Sequence, residues 1–359
     1  MTLPQPNFER LLTVFWRRGE PDRVPFIELK HDLEIVEQVA GEPMTGLSDD
    51  PGEELRLQAR HYVGFCHRLG YDTAAVTPVI PFRYKRVSAG DTAGTSRALR
   101  SWQSESDGFI ATMEDFERYP WPEPADVDYG PVEAAADAMP DGMKIVARKS
   151  GVLENVAWIM GYERLAMALY DDPPLCRAMF DRVGALLLGV FETMADMEAV
   201  GAIWLSDDMG HKTQTMISPD DLRQYVLPWH KRIAAAAHAR GKPALLHSCG
   251  HIEAVMPDLL DEVGIDARHS FEEVILPVTE AKRRYGDRIA LLGGVDVDVL
   301  ARGSTDDVRG ATRRILEACM PGGGYALGSG NSVANYVRVE NFLAMLDEGR
   351  RVGRYASAR

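Results

Sequence analysis

The chain has 359 residues, with 40 basic and 54 acidic side chains and a formal net charge of −14. That balance excludes a general nucleic-acid binder, which needs a basic stripe. Its 45% apolar and 26% charged residues are ordinary globular values and exclude disorder, collagen-like repeats and coiled coil as the main architecture.

In chain order, the first strand expected is Arg23–Leu29, followed by a helix opening at Pro51 and running towards Leu69. The second strand, Thr73–Val79, leads into Arg83–Thr112, a stretch rich in Ser, Gly, Thr and Arg with short alternating segments. It is expected to be a β excursion over one end of the fold, ended by Tyr119-Pro-Trp-Pro. Lys144–Ser150 is the third strand. Tyr162–Val200 fits two helices broken at Asp171-Asp-Pro-Pro. Ala202–Asp208 is the fourth strand, and Ser218-Pro-Asp-Asp starts a helix with Ser as N-cap and Pro at the first helical position, reaching about Ala239. Strands at Pro243–Cys249, Ile265–Ser270, Ala290–Asp296 and Tyr325–Asn331 complete the set. They alternate with helices over Ile252–Val263, Pro277–Tyr285, Thr305–Cys319 and Val339–Gly349.

Eight strands alternating with helices imply parallel βαβ units and the α/β class. Eight is also the number that closes a (β/α)₈ TIM barrel, with its active site at the C-terminal strand ends. An open doubly wound sheet would call for a Gly-rich loop after an early strand, and neither Leu29 nor Val79 is followed by one. Without repeats or a linker, residues 1–359 are expected to form a single domain. No run approaches the ~20 apolar residues of a membrane span. The opening Met1-Thr-Leu-Pro-Gln-Pro lacks signal-peptide regions. Four cysteines are too few for a disulfide scaffold. The expectation is therefore a cytoplasmic protein with reduced thiols.

Reactive side chains concentrate at the strand ends. They include Glu28 and His31 on the first, Lys149 on the third, Asp207 and Asp208 on the fourth, and His247 and Cys249 on the fifth. Glu272 follows the sixth, Asp296 and Asp298 the seventh, and Asn331 the eighth. His247-Ser-Cys249 is the sharpest element. Residues i and i+2 of a strand share a face, and an imidazole beside a thiolate is half a site for zinc, which favours N and S ligands. The third ligand is open among Asp208, Glu272 and Glu273, as is a site without metal. Cys319 is expected at the opposite end of the barrel, and Cys66 and Cys176 in helices. Asp207 and Asp208 suit a metal ligand, a general base or a clamp for a cationic group. Glu28, His31, Lys149 and Asn331 are expected to bind substrate.

Several segments carry a family resemblance: Pro21-Asp-Arg-Val-Pro-Phe, Tyr119-Pro-Trp-Pro, Asp207-Asp-Met-Gly and Ile217-Ser-Pro-Asp-Asp-Leu-Arg-Gln-Tyr-Val-Leu-Pro-Trp. Others are His247-Ser-Cys-Gly, His269-Ser-Phe-Glu-Glu, Leu291-Leu-Gly-Gly-Val-Asp and Gly323-Gly-Tyr-Ala-Leu-Gly-Ser-Gly-Asn. Together they resemble the uroporphyrinogen decarboxylase superfamily over nearly the whole chain, which implies a (β/α)₈ barrel. True decarboxylases of that superfamily carry an arginine-rich segment after the first strand, where this chain reads Glu28-Leu-Lys-His-Asp. The other branch, zinc- and corrinoid-dependent methyltransferases, uses His-x-Cys after the fifth strand, matched by His247 and Cys249, and a further Cys after the eighth. Here that place reads Gly328-Ser-Gly-Asn331.

The resemblance thus implies a methyltransferase-like enzyme working with zinc and with a corrinoid (cobalamin-type) cofactor carried by a partner protein. In this reading Asp207, Asp208 and Glu272 are catalytic. A decarboxylase of another carboxylated substrate and a non-catalytic corrinoid- or tetrapyrrole-binding barrel are the alternatives. Expected partners are a small-molecule substrate, the corrinoid protein and a second copy of the chain.

Overall fold

The computed structural model describes residues 5–90, 99–103 and 107–355. Seven strands form one parallel, curled sheet. In spatial order they are β1 (Thr73–Val76), β4 (Lys144–Ser150), β5 (Val200–Ser206), β6 (Ala244–His247), β7 (Ala267–His269), β8 (Ala290–Leu292) and β9 (Tyr325–Ala326). Between β1 and β4, β2 (Arg86–Gly90) and β3 (Leu99–Gln103) pair as an antiparallel hairpin. The β character expected between the second and third barrel strands is therefore present. Residues 91–98 and 104–106 of that stretch lie outside the described residues.

The first expected strand differs. Arg23–Leu29 forms no ladder, but lies beside β9 through a single parallel bridge, Phe26 to Leu327. Ile27 N–H donates to Leu327 O and Leu327 N–H to Pro25 O, each at 2.9 Å. Pro25 has no N–H to extend the pairing, which confines the segment to isolated bonds. The last strand is likewise shorter than Tyr325–Asn331, and continues as isolated bridges, Leu327 to Phe26 and Ser329 to Val295.

The helices follow their sequence signals. Asp50 caps Pro51–Arg68 by accepting the Glu53 N–H at 2.7 Å. Asp172 separates Tyr162–Asp171 from Pro173–Asp196 and caps the latter. Ser218 accepts the Asp221 N–H at 3.0 Å, opening a helix that reaches His238. Among the helices without a sequence expectation, Val152–Met160 lies between Gly151 and Gly161 directly after β4. Among the described residues no helix is long and apolar enough to cross a membrane.

Both faces of the parallel sheet are buried, and alternation along each strand decides which layer a side chain joins. Ile27, Val146, Trp204, Leu245 and Ala267 form an inner cluster enclosed by the curl of the sheet. Their neighbours Ala147, Ile203, Leu205 and Leu246 join the larger outer core beneath the helices. Continuing the inner series two residues at a time reaches Asp208 from Trp204, His247 and Cys249 from Leu245, and His269 from Ala267.

Candidate metal centre at the strand ends

Asp207 belongs to the outer series, and its surroundings follow from that. Its carboxylate is fully buried and accepts the N–H groups of Leu153 (3.1 Å) and Glu154 (2.9 Å), the first turn of Val152–Met160. Its Oδ2 also lies 2.7 Å from Nε2 of buried His230. An anion at a helix N-terminus satisfies N–H groups that have no intrahelical partner. The expectation of Asp207 as a reacting group meets a different placement: its oxygens are spent tying helix to sheet.

Asp208 points the other way and joins His247 and Cys249. The three offer one O, one N and one S within 4.8 Å of one another. His247 Nε2 is 3.4 Å from Asp208 Oδ1 and 3.4 Å from Cys249 Sγ. Cys249 N–H donates to Asp208 Oδ1 at 2.8 Å, and Asn331 Nδ2 donates to Cys249 Sγ at 3.2 Å.

Two glycines make this convergence possible. A Cβ on Gly250, whose φ is +74°, would stand 2.4 Å from the backbone of Gly210, and a Cβ on Gly210 would stand 2.6 Å from the Cys249 carbonyl. The loops after β5 and β6 therefore touch backbone to backbone. Ser248 Oγ, accepting the Met209 N–H at 2.9 Å, adds a further tie.

Behind His247 runs a second line of contacts. Its Nδ1 lies 2.7 Å from Nδ1 of fully buried His269, whose Nε2 lies 3.3 Å from the Ser329 carbonyl. Ser329 in turn donates its N–H (2.8 Å) and its hydroxyl (2.5 Å) to the buried Glu28 carboxyl. Burial pushes Glu28 up to about 8, against the two Ser329 hydrogen bonds. Burial holds the His269 imidazole well below its ordinary value, with His247 acting in the same direction.

The remaining expected residues scatter around this centre. His31 is buried among Tyr62, Phe65, Tyr71 and Phe342, and its Nδ1 lies 3.3 Å from the Tyr62 hydroxyl. Burial drives its pKa down to about 3. Lys149 donates to the Pro78 carbonyl at 3.2 Å, and burial, then Arg148, lower it to about 8. Glu272 and Asn331 line a groove of about 840 Å³ with Arg302 and Arg314. Asp296 caps the helix Val297–Arg302, and Asp298 pairs with Arg302. Cys319 is fully buried, with Sγ 3.9 Å from the Val278 carbonyl.

One further residue faces inward without a sequence expectation. Arg148 continues the Val146 series on β4, opposite Trp204 in register, and its Nε has no hydrogen-bond partner among the described residues. The signal available was its parity, two residues after an inner valine.

The donor set, an imidazole, a thiol and a carboxylate that converge, suits a borderline-soft divalent ion. Burial, then the Asp208 charge, raises the Cys249 thiol above its ordinary value, so without a cation the sulfur keeps its proton. Asp208 is held below the usual carboxylate range. Burial opposes this, and is outweighed by His247 and the Cys249 N–H.

The comparisons with known proteins agree with this architecture. The curated uroporphyrinogen decarboxylase of Thioalkalivibrio sulfidiphilus is 28% identical over 198 residues, covering 54% of this chain and 53% of that protein. The methylated-thiol–coenzyme M methyltransferase of Methanosarcina mazei is 29% identical over 189 residues, covering 52% and 47%. The methylcobamide:CoM methyltransferase of Methanosarcina barkeri is 29% identical over 132 residues, covering 36% of each. The chain thus spans about half the length of the first of these relatives. A solved methyltransferase from Methanosarcina mazei shares the fold, with a TM-score of 0.69 at 17% identity over 97% of this chain and 99% of that one. The family model described as uroporphyrinogen decarboxylase (URO-D) matches residues 104–352, and the chain belongs to that family.

Proposed function

We propose that this protein is a corrinoid-dependent methyltransferase-like enzyme. It moves a methyl group between a methylated small molecule or thiol and a corrinoid carried by a partner protein. In this reading the barrel is closed, with residues 25–27 as its first strand. The observation that carries the proposal is the Asp208–His247–Cys249 cluster, whose ligand atoms converge within 4.8 Å at the C-terminal strand ends. The methylcobamide:CoM methyltransferase among the relatives supports the corrinoid partner.

Asp208, His247 and Cys249 would hold a divalent ion, zinc by the softness of the set, which when bound supplies a Lewis acid at the site. Asn331 donates a hydrogen bond to the Cys249 sulfur and tempers its charge. Glu272 lines the neighbouring groove beside Asn331 and is the proposed acceptor for a proton released there.

A second reading, decarboxylation of a carboxylated substrate, is favoured by Arg148. This inner-facing cation has an unpartnered Nε and would suit a carboxylate.

Purified protein assayed with methylcobalamin and thiols, in reverse with cob(I)alamin and methylated thiols or ethers, and in a third arm with carboxylated tetrapyrroles and smaller carboxylic acids, separates the two. Cobalamin absorbance changes that vanish in Cys249→Ser support methyl transfer. Carbon dioxide release without corrinoid turnover supports decarboxylation instead. Metal-loaded protein inactive in every arm would overturn both.

A further inference from the structure

The geometry points to His269 as a positioning residue that, braced by Ser329 and Glu28, holds the Nδ1 hydrogen of His247 so that Nε2 is the nitrogen left to ligate beside Cys249 and Asp208. The inference rests on the reading of those three residues as a metal site.

The Ser329 carbonyl can only accept, so His269 Nε2, at 3.3 Å, must carry a hydrogen. That carbonyl is not free to turn away, since it also receives the Gly294 N–H at 3.2 Å. Ser329 is further pinned by its two hydrogen bonds to Glu28. The two Nδ1 atoms of His269 and His247 stand 2.7 Å apart, room for one hydrogen between them and not two.

A second hydrogen on His269 would bury an imidazolium with no ion pair of its own among the described residues, whereas His247 has the Asp208 carboxylate at 3.4 Å. His269 is therefore neutral, with a bare Nδ1, and His247 Nδ1–H donates to it. The remaining nitrogen of His247, Nε2, lies 3.4 Å from both Cys249 Sγ and Asp208 Oδ1, and a hydrogen it shares with that carboxylate is the one a cation would displace. A ligating histidine whose other nitrogen donates to a fixed acceptor keeps its ring orientation and gains basicity, and loss of such a partner typically costs 10- to 100-fold in metal affinity. The acceptor here is an uncharged imidazole, so it adds no second negative charge beside Asp208 and Cys249.

The test is long-range proton–nitrogen correlation NMR on metal-free, ¹⁵N-histidine-labelled protein near neutral pH, paired with zinc titration against a chromophoric chelator. Wild type should show His247 protonated on Nδ1 and His269 on Nε2. His269→Leu should lose that His247 signature and bind zinc roughly 10- to 100-fold more weakly. His269→Asn, which places an amide oxygen near the old Nδ1, should restore both in large part.

His247 protonated on Nε2 with a bare Nδ1 in wild type would overturn the inference, as would unchanged zinc affinity in a folded His269→Leu protein. Should both variants fail to fold, the wild-type spectrum still decides. The expected tautomers in a protein that binds no zinc would leave the positioning role standing and remove the metal reading.

Discussion

Asp207 and Asp208 are neighbours in sequence and face opposite sides of their strand. The first caps a helix and pairs with His230 in the outer core, and the second joins His247 and Cys249 on the inner side. Their substitutions should therefore separate stability from chemistry. Asp207→Ala strands two helix N–H groups and a buried imidazole, at a cost of about 3 kcal/mol. Asp208→Asn should leave the denaturation midpoint almost unchanged but weaken metal binding. Urea denaturation beside metal titration checks both. Equal loss of stability in the two variants would refute the division.

Cys249 and Cys319 should differ in the same way. Cys249→Ser removes the soft ligand and should lower bound zinc and activity together. Cys319→Ser lies in the outer core and should leave both nearly unchanged. Because the raised Cys249 thiol and His247 must lose or lack protons to bind a cation, affinity in wild type should fall as pH drops. Metal analysis after dialysis at several pH values reads this directly, and a pH-independent metal content would count against these ligands.

How much of this was legible in the sequence depended on periodicity. The strands from Lys144 to Leu292 and the caps at Asp50, Asp172 and Ser218 follow from apolar runs and short-range capping chemistry. His247 and Cys249 were legible because i, i+2 spacing fixes a shared face. Asp207 and Asp208 looked interchangeable until each was counted from Trp204. Continuing the inner series selects Asp208, and the same counting from Val146 finds Arg148. Pairing across the chain was not legible. Nothing near Glu28 announces Ser329, some 300 positions away, and nothing near His31 announces the rings of Phe65 and Phe342 that bury it. The shortened first strand had a visible cause in Pro25, whose effect depends on which neighbour needed the missing N–H.

Glu28 and His31 should impose opposite pH dependences on stability. Glu28 has a folded pKa raised from 4.5 to about 8, so the folded state binds the extra proton between those values. Its contribution is fully present below the lower value and is lost as pH rises towards the upper. His31 has a folded pKa lowered from 6.5 to about 3, so the unfolded chain binds the extra proton in that window. Stability is then lost as pH falls below the upper value, at up to about 1.4 kcal/mol per pH unit. Glu28→Gln should flatten the decline as pH rises from 4.5 to about 8, and His31→Phe the decline as pH falls from 6.5 to about 3. Chemical denaturation across the pH range measures both, and unchanged profiles in the variants would assign the slopes to other groups.

Gly250 offers a test of the site's assembly without touching any proposed ligand. Alanine there would carry a φ of +74°, strained for any residue with a Cβ, and would drive that Cβ to 2.4 Å from the Gly210 backbone. The loops after β5 and β6 must then separate, and the hydrogen bond from Cys249 N–H to Asp208 Oδ1, which spans them, is the first to break. Gly250→Ala should remain folded, because the clash falls on two loops outside the strands of the sheet, while zinc affinity falls to the level of Asp208→Asn. Gly264, also a glycine of positive φ but with nothing within 4 Å of its would-be Cβ, is the control: Gly264→Ala carries the backbone strain alone and should keep its metal. Thermal denaturation and zinc titration of the two variants, side by side, separate backbone strain from loop separation. Full zinc affinity in Gly250→Ala would show that the cluster does not depend on this close approach of the two loops.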